Sequence, residues 1–132
     1  MSRILVVDAS VVIDLIGRFR PRPLEDLLWQ PDALLVAPEL LDVEVLNAFR
    51  KLERLSAIPA SRSAELAEQL RGLRIRKYRH GLLTEGIWSL RVNLTAYDAA
   101  YVALARLLDA TLVTRDARLA HAPGLGVEVL TP

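Results

Sequence analysis

The sequence predicts an α/β fold with a central, mainly parallel sheet of about four to five strands and helices on both faces. Three observations lead there. Short apolar runs of strand length, among them Ile4–Val7 and Leu34–Ala37, lack the alternation of half-exposed strands. Segments with apolar residues at helical spacing lie between such runs. Two strands run straight into an aspartate, Asp8 and Asp116. Open α/β sheets bind ligands at that edge, beyond the carboxyl ends of their strands.

The elements follow in order. Ile4–Val7 is the first strand, and Val11 to Gly17 reads as a short helix after Asp8-Ala-Ser10. Arg20-Pro-Arg-Pro23 breaks it, and Leu24 to Gln30 forms a second short helix. Leu34–Ala37 is the next strand, ended by Pro38. Glu39 to Leu55 carries Leu41, Val45, Phe49 and Leu52 on one helical face. Ser61 to Leu73 is an amphipathic helix, and Arg74 to Arg79 reads as a short charged edge strand. Leu82 to Arg91 is expected to be helical, and Ala96 to Leu108 is the clearest helix in the chain. Thr111–Thr114 and Val127–Leu130 are the last strands. No repeat, linker or low-complexity tract interrupts this pattern, so residues 1–132 read as a single domain.

Composition narrows the chemistry. At 132 residues and 52% hydrophobic, the chain can bury a real core. A net charge of +1 gives no global pull toward nucleic acid, so any such surface must be local. Cysteine is absent, which excludes disulfides, thiolate metal sites and a cysteine nucleophile, and suits a reducing cytosol. The early apolar run ends at Asp8, too short for a signal segment or a membrane span. The chain is therefore read as soluble and cytoplasmic.

Four carboxylates are candidates for one site. Asp8 and Asp116 follow strands that should share an edge of the sheet. Glu44 lies early in the helix after the second strand, and Asp98 lies in the first turn of the Ala96 helix. Four anions in one cleft repel unless some are protonated or cations neutralise them. Mg²⁺ or Mn²⁺, hard ions that prefer oxygen, meet that need. Each acid also has a plainer reading: Asp8 as a helix cap, Glu44 as a solvated helix residue, Asp98 as part of a capping box with Thr95, Asp116 as a turn residue.

Four segments carry a resemblance: Val6-Val-Asp8-Ala-Ser10-Val-Val-Ile13, Pro38-Glu-Leu-Leu-Asp-Val-Glu44-Val-Leu-Asn47-Ala, Thr95-Ala-Tyr-Asp98-Ala-Ala-Tyr101-Val-Ala-Leu-Ala105, and Leu112-Val-Thr114-Arg-Asp116-Ala-Arg-Leu119. Together, in this order and spacing, the chain resembles PIN-domain ribonucleases, most closely the VapC-type toxins of toxin–antitoxin pairs. The resemblance implies a three-layer α/β/α fold. It implies Asp8, Glu44, Asp98 and Asp116 as a metal-binding catalytic quartet, with Ser10 and Thr114 as supporting hydroxyls. It also implies an RNA substrate, Mg²⁺ with Mn²⁺ as substitute, a homodimer and a VapB-type antitoxin partner. Arg115 stands where such proteins often carry a small or polar residue, and is expected to pair with an acid or meet RNA phosphate.

Other residues have two readings each. Arg71, Arg74, Arg76, Lys77, Arg79 and His80 suit an RNA backbone or a charged sheet edge. Arg50, Lys51 and Arg54 suit the same backbone or a solvated helix face. His80 and His121 lack zinc spacing. Trp29 and Trp88 are read as core or interface rather than stacking platforms, and Glu39 as a neighbour of the cleft. Apolar positions in Leu24–Trp29 and Val45–Leu55 suit core packing or a partner segment. Two other functions use the same fold class. An aspartyl-phosphate phosphotransfer domain also places an aspartate after a parallel strand, but Ser10 and the positions of Lys51 and Lys77 fit it poorly. A non-catalytic PIN-like binding module would not need all four acids.

Overall fold

A computed structural model of the protein describes residues 2–132. Among these residues run five strands and seven α-helices. The strands are β1 (Arg3–Val7), β2 (Ala33–Pro38), β3 (Arg76–Tyr78), β4 (Thr111–Val113) and β5 (Val129–Leu130). The helices are α1 (Ala9–Gly17), α2 (Arg22–Leu28), α3 (Leu40–Arg54), α4 (Ala60–Gly72), α5 (Thr84–Ser89), α6 (Ala96–Leu108) and α7 (Ala117–Ala120). None of them is long and apolar enough to cross a membrane.

The strands form one sheet in the order β3-β2-β1-β4-β5, and every pairing is parallel. Val6 of β1 sits opposite Val36 of β2 on one side and Leu112 of β4 on the other. The chain thus winds outward from β1 through β2 to β3, then crosses over to β4 and β5. Because parallel crossovers are right-handed, the two directions of winding put their helices on opposite faces. Helices α1, α3 and α4 pack on one another, while α6 lies against β1, β2 and β4 with α5 packed on it. The expected three-layer α/β/α arrangement is present.

The order of strands reverses between β1 and β4, and this switch point opens a crevice at their carboxyl ends. Leu5, Val6 and Val7 are fully buried in succession, which requires both faces of β1 to be covered. Leu112 and Val113 of β4 are equally buried. Two backbone bonds carry the pairing past the strand ends: Asp8 N–H donates to the Val113 carbonyl at 3.3 Å, and Thr114 N–H to Leu130 at 3.0 Å. Both side chains are thereby fixed at the crevice.

Most expected elements are present with boundaries shifted by one to three residues. Arg76–Tyr78 is indeed an edge strand. The expected helix from Leu82 to Arg91 is divided: a 3₁₀ turn at His80–Leu82 precedes the shorter α5. Close packing of α5 on α6 accounts for its glycine, since a Cβ on Gly86 would stand 2.9 Å from the Ala103 methyl. The four-residue α7 was not expected; it is too short for a periodic signal and is nucleated by its cap, Asp116.

Leu104, fully buried on α6, lies in the core against the sheet. Leu104→Ala is expected to destabilise the protein by about 2–5 kcal/mol, read as a lower urea midpoint with an unchanged m-value.

Candidate active site

Asp8 caps α1: its Oδ1 accepts from Val11 N–H at 3.2 Å and from the Ser10 hydroxyl at 2.6 Å. Its Oδ2 accepts from the fully buried Thr114 hydroxyl. Thr114 Oγ1 in turn accepts from Asp116 N–H at 3.0 Å, and Ser10 Oγ accepts from Arg115 N–H at 2.9 Å. The two hydroxyls therefore stitch the residues after β1 to those after β4. Asp8 is only 5% exposed, and burial raises its carboxyl from an ordinary 3.8 to about 6. The donated hydrogen bonds oppose that rise, and the nearby Asp116 charge adds to it.

Glu44 stands one helical turn inside α3, half-buried, with Oε1 accepting from the Tyr101 hydroxyl at 2.5 Å. Burial pushes the Glu44 carboxyl above its usual range, and repulsion from Asp98 adds to the push against the Tyr101 bond. Tyr101 is itself held protonated by burial, by its bond to Glu44, and by the charges of Glu44, Asp8 and Asp98. One buried phenol thus bonds Glu44 directly and feels the charges of Asp8 and Asp98 more weakly.

Asp98 lies in the first turn of α6, where its N–H is capped by the Thr95 hydroxyl at 3.2 Å. Asp116 caps α7, its Oδ1 accepting from the N–H groups of Arg118 and Leu119 at 3.0 and 3.3 Å. One guanidinium bridges these two acids: Arg118 Nη2 lies 2.8 Å from Asp98 Oδ2 and 3.4 Å from Asp116 Oδ2. Asp8 is therefore a helix cap with both carboxylate oxygens held, while Asp116, expected as a turn residue, is also a cap and keeps Oδ2 free of backbone contact. The structure brings the predicted acids into mutual electrostatic contact in two neighbouring pairs, Asp8 with Asp116 and Glu44 with Asp98.

Arg115 pairs with an acid, as expected, but the acid is Asp14 rather than one of the quartet. Its Nη1 lies 3.1 Å from Asp14 Oδ2, in a side chain only 8% exposed. The same guanidinium donates to the carbonyls of Phe19 and Arg20, while its Nε is buried without a partner. Arg115 therefore anchors the turn after α1, where Arg18 and Arg20 adopt left-handed backbone. It ties the turn after α1 to the end of β4, where its own N–H bonds Ser10.

The remaining candidates are mostly engaged elsewhere. Lys77 pairs with Asp42 at 3.0 Å, Arg76 stacks on Tyr78, and Arg71 pairs with Glu68. Those contacts favour the charged-edge reading of that stretch. His80 Nε2 accepts from Leu40 N–H at 2.9 Å and caps the helix that carries Glu44. Trp29 and Trp88 are exposed, which rules out the core half of their expected role. Glu39 is an exposed residue at the start of α3. In the two stretches singled out as apolar, Leu24, Leu28, Val45 and Phe49 are core, leaving Trp29, Leu46 and Leu55 at the surface. Sequence reasoning gave no role to Tyr101, Arg118 or Asp14. Tyr101, one turn after Asp98, was open to inference; the pairings of Arg118 and Asp14 needed the fold.

The donor set fits a hard divalent cation. It offers carboxylate oxygen without sulfur, and it contains a carboxyl at about 6 that a nearby positive charge would bring down. Arg118 already stands as a counter-ion between Asp98 and Asp116. As the side chains lie, no three acidic or imidazole groups among the described residues close on one point. The same four acids would have to draw together around an ion.

The PIN domain family model matches residues 5–125. Ribonuclease VapC1 of Mycobacterium tuberculosis is 42% identical over 125 residues, covering 94% of each chain. Ribonuclease VapC3 of the same organism is 37% identical over 120 residues, covering 89% of this chain and 86% of that one. Among solved structures, VapBC2 from Rickettsia felis, bound to a DNA fragment from their promoter, aligns with a TM-score of 0.70 at 13% identity, covering 96% of this chain and 97% of that one. M. tuberculosis VapC20, a sarcin-ricin loop cleaving toxin, aligns with a TM-score of 0.65 at 19% identity, covering 87% and 92%. These two likenesses are of fold.

The burial of Asp8 has a measurable sign. Its carboxyl titrates near 3.8 when unfolded and at about 6 when folded, so the folded protein binds this proton more tightly. The stability from neutral Asp8 is full below 3.8 and is lost as pH rises through about 6. Without divalent cations, wild type is expected to lose up to about 3 kcal/mol through this group between about pH 4 and about pH 6.5. Asp8→Asn removes that loss, so urea titrations across the range should show a flatter profile for the variant.

Proposed function

The chain belongs to the PIN-domain family and, within it, to the VapC-type ribonucleases, and from that premise we propose a Mg²⁺-dependent endoribonuclease, the toxin of a type II toxin–antitoxin pair. The observation that carries this reading is Asp8: a buried carboxyl at the sheet's switch point, oriented by three hydrogen bonds and close enough to Asp116 to feel its charge. An aspartyl-phosphate mechanism lacks its helper, because Lys77 is paired with Asp42 and Lys51 is exposed on α3. A binding module gives no reason for a buried charge whose every oxygen is held.

Asp8, Glu44, Asp98 and Asp116 are the residues that would hold Mg²⁺, with Mn²⁺ as a substitute. A bound divalent ion supplies Lewis acidity toward a phosphate oxygen and lowers the pKa of a water at neutral pH. The protein's part is placement. Ser10 and Thr114 fix both oxygens of Asp8 and exclude alternative rotamers. Tyr101 fixes one oxygen of Glu44 and leaves the other free. Asp116 keeps one oxygen on the α7 N-terminus and presents the other. Attack by water in one displacement needs no covalent intermediate and leaves a 5′-phosphate and a 3′-hydroxyl on the RNA.

A VapB-type antitoxin and a second copy of the chain complete the proposed setting. The exposed apolar residues Trp29, Val43, Leu46 and Trp88 support protein contacts of this kind. The match to VapC relatives over nearly the whole chain supports the same partners.

RNA cleavage by purified protein, followed by sequencing of the product ends, tests this reading. Chelation is expected to abolish cleavage and Mg²⁺ or Mn²⁺ to restore it. Asp8→Asn and Asp98→Asn should each lower the rate by at least about a hundredfold; wild-type cleavage by either would overturn the assignment. Thr114→Val, which removes one bond from Asp8 at nearly constant volume, should cost about 10–100-fold with the fold retained by circular dichroism.

A further inference from the structure

We infer that Arg118 competes with the divalent cation for the site, as a tethered counter-ion that must leave Asp98 and Asp116 before the metal enters. The inference rests on the metal reading of the quartet and concerns an assignment that reading does not make.

The argument is one of lone pairs. Asp116 Oδ1 is already committed to two backbone N–H groups, those of Arg118 and Leu119. The oxygen that Asp116 can offer an ion is therefore Oδ2. Arg118 Nη2 lies 3.4 Å from that oxygen. On the other acid, the same nitrogen takes Asp98 Oδ2 at 2.8 Å. One nitrogen thus stands between the two carboxylates, in the direction from which an ion would bind both.

Geometry also favours release over permanent residence. Arg118 sits on the four-residue α7, and its side chain is 67% exposed. Its contact with Asp116 is between near neighbours in sequence, so withdrawal requires only side-chain rotation. Exposed guanidinium–carboxylate pairs are weak and screened by salt. A divalent ion, with twice the charge and inner-sphere bonds to oxygen, displaces such a pair without disturbing the fold. Until then Arg118 keeps two like charges from repelling.

Preorganisation is the opposing possibility. If Arg118 mainly held Asp98 and Asp116 at a useful separation, its removal would weaken metal binding. The two roles predict opposite signs, so binding of the metal alone decides between them without any measurement of cleavage.

The experiment is titration of the purified full chain with Mn²⁺, by calorimetry and by the loss of the free Mn²⁺ signal in electron paramagnetic resonance. Arg118→Gln is expected to bind Mn²⁺ about three- to fivefold more tightly than wild type. Arg118→Lys, which keeps the charge but loses the planar fork, should fall between them. Thermal melts of the metal-free proteins confirm that each variant is folded, as the exposure of residue 118 leads one to expect. Equal or weaker binding by folded Arg118→Gln, beside a normal wild-type titration, overturns the inference alone. Absence of Mn²⁺ binding in both proteins overturns the metal reading of the quartet, and this inference with it.

Discussion

The site depends on one buried carboxyl, and the fold depends on satisfying it. Asp8 leaves β1 at the point where the sheet reverses its order, and its side chain is almost wholly buried there. A carboxyl so placed must find donors inside the protein or take up a proton. It does some of each. Val11 N–H, Ser10 and Thr114 supply donors, and burial still raises the group to about 6. The bonds from Ser10 and Thr114 are also what tie α1 to the end of β4. A demand of electrostatics is thereby turned into a join between two distant parts of the chain.

The rest of the acidic edge is arranged by the same rule, with different counterweights. Glu44 is balanced by a phenol whose burial favours its protonated form, Asp98 and Asp116 by one guanidinium, and Asp14 by another. The two arginines, three residues apart, serve opposite ends. Arg115 is buried and bonded to two carbonyls as well as to Asp14, so it belongs permanently to the scaffold. Arg118 is exposed and touches only the two acids and its own turn, so its contacts are exchangeable. Burial, more than charge, separates a structural cation from a replaceable one.

The sequence was legible wherever a local pattern sufficed. Consecutive apolar residues at Leu5–Val7 announced a strand covered on both faces, and the strand-end rule placed Asp8 and Asp116 at one edge before any topology was known. Ala96–Leu108 was read to the residue, because Thr95 caps it and its apolar face is continuous. Reading failed where the cause was nonlocal. The split near Leu82 follows from the turn that brings His80 back to cap α3, forty residues earlier. Arg115 could be expected to find an acid, but its choice of Asp14 follows from the β1–β4 pairing, which brings the ends of those strands together. Glu44 is legible only through family resemblance, because one acid in a helix carries no signature without Tyr101 beside it.

Capping and metal binding need not compete for these acids. A carboxylate has two oxygens, and a helix N-terminus asks for one of them. Asp116 gives Oδ1 to the two amides of α7 and keeps Oδ2 free of backbone contact. That division makes the cap an orienting device. The helix end sets the direction of the whole carboxylate plane, and so sets where its second oxygen points. Asp98 reaches the same end differently, since Thr95 does the capping and both Asp98 oxygens stay clear of the helix backbone, Oδ2 being taken by Arg118. The helix starts at this edge therefore aim Asp8 and Asp116, whereas Glu44, inside α3, is aimed by Tyr101.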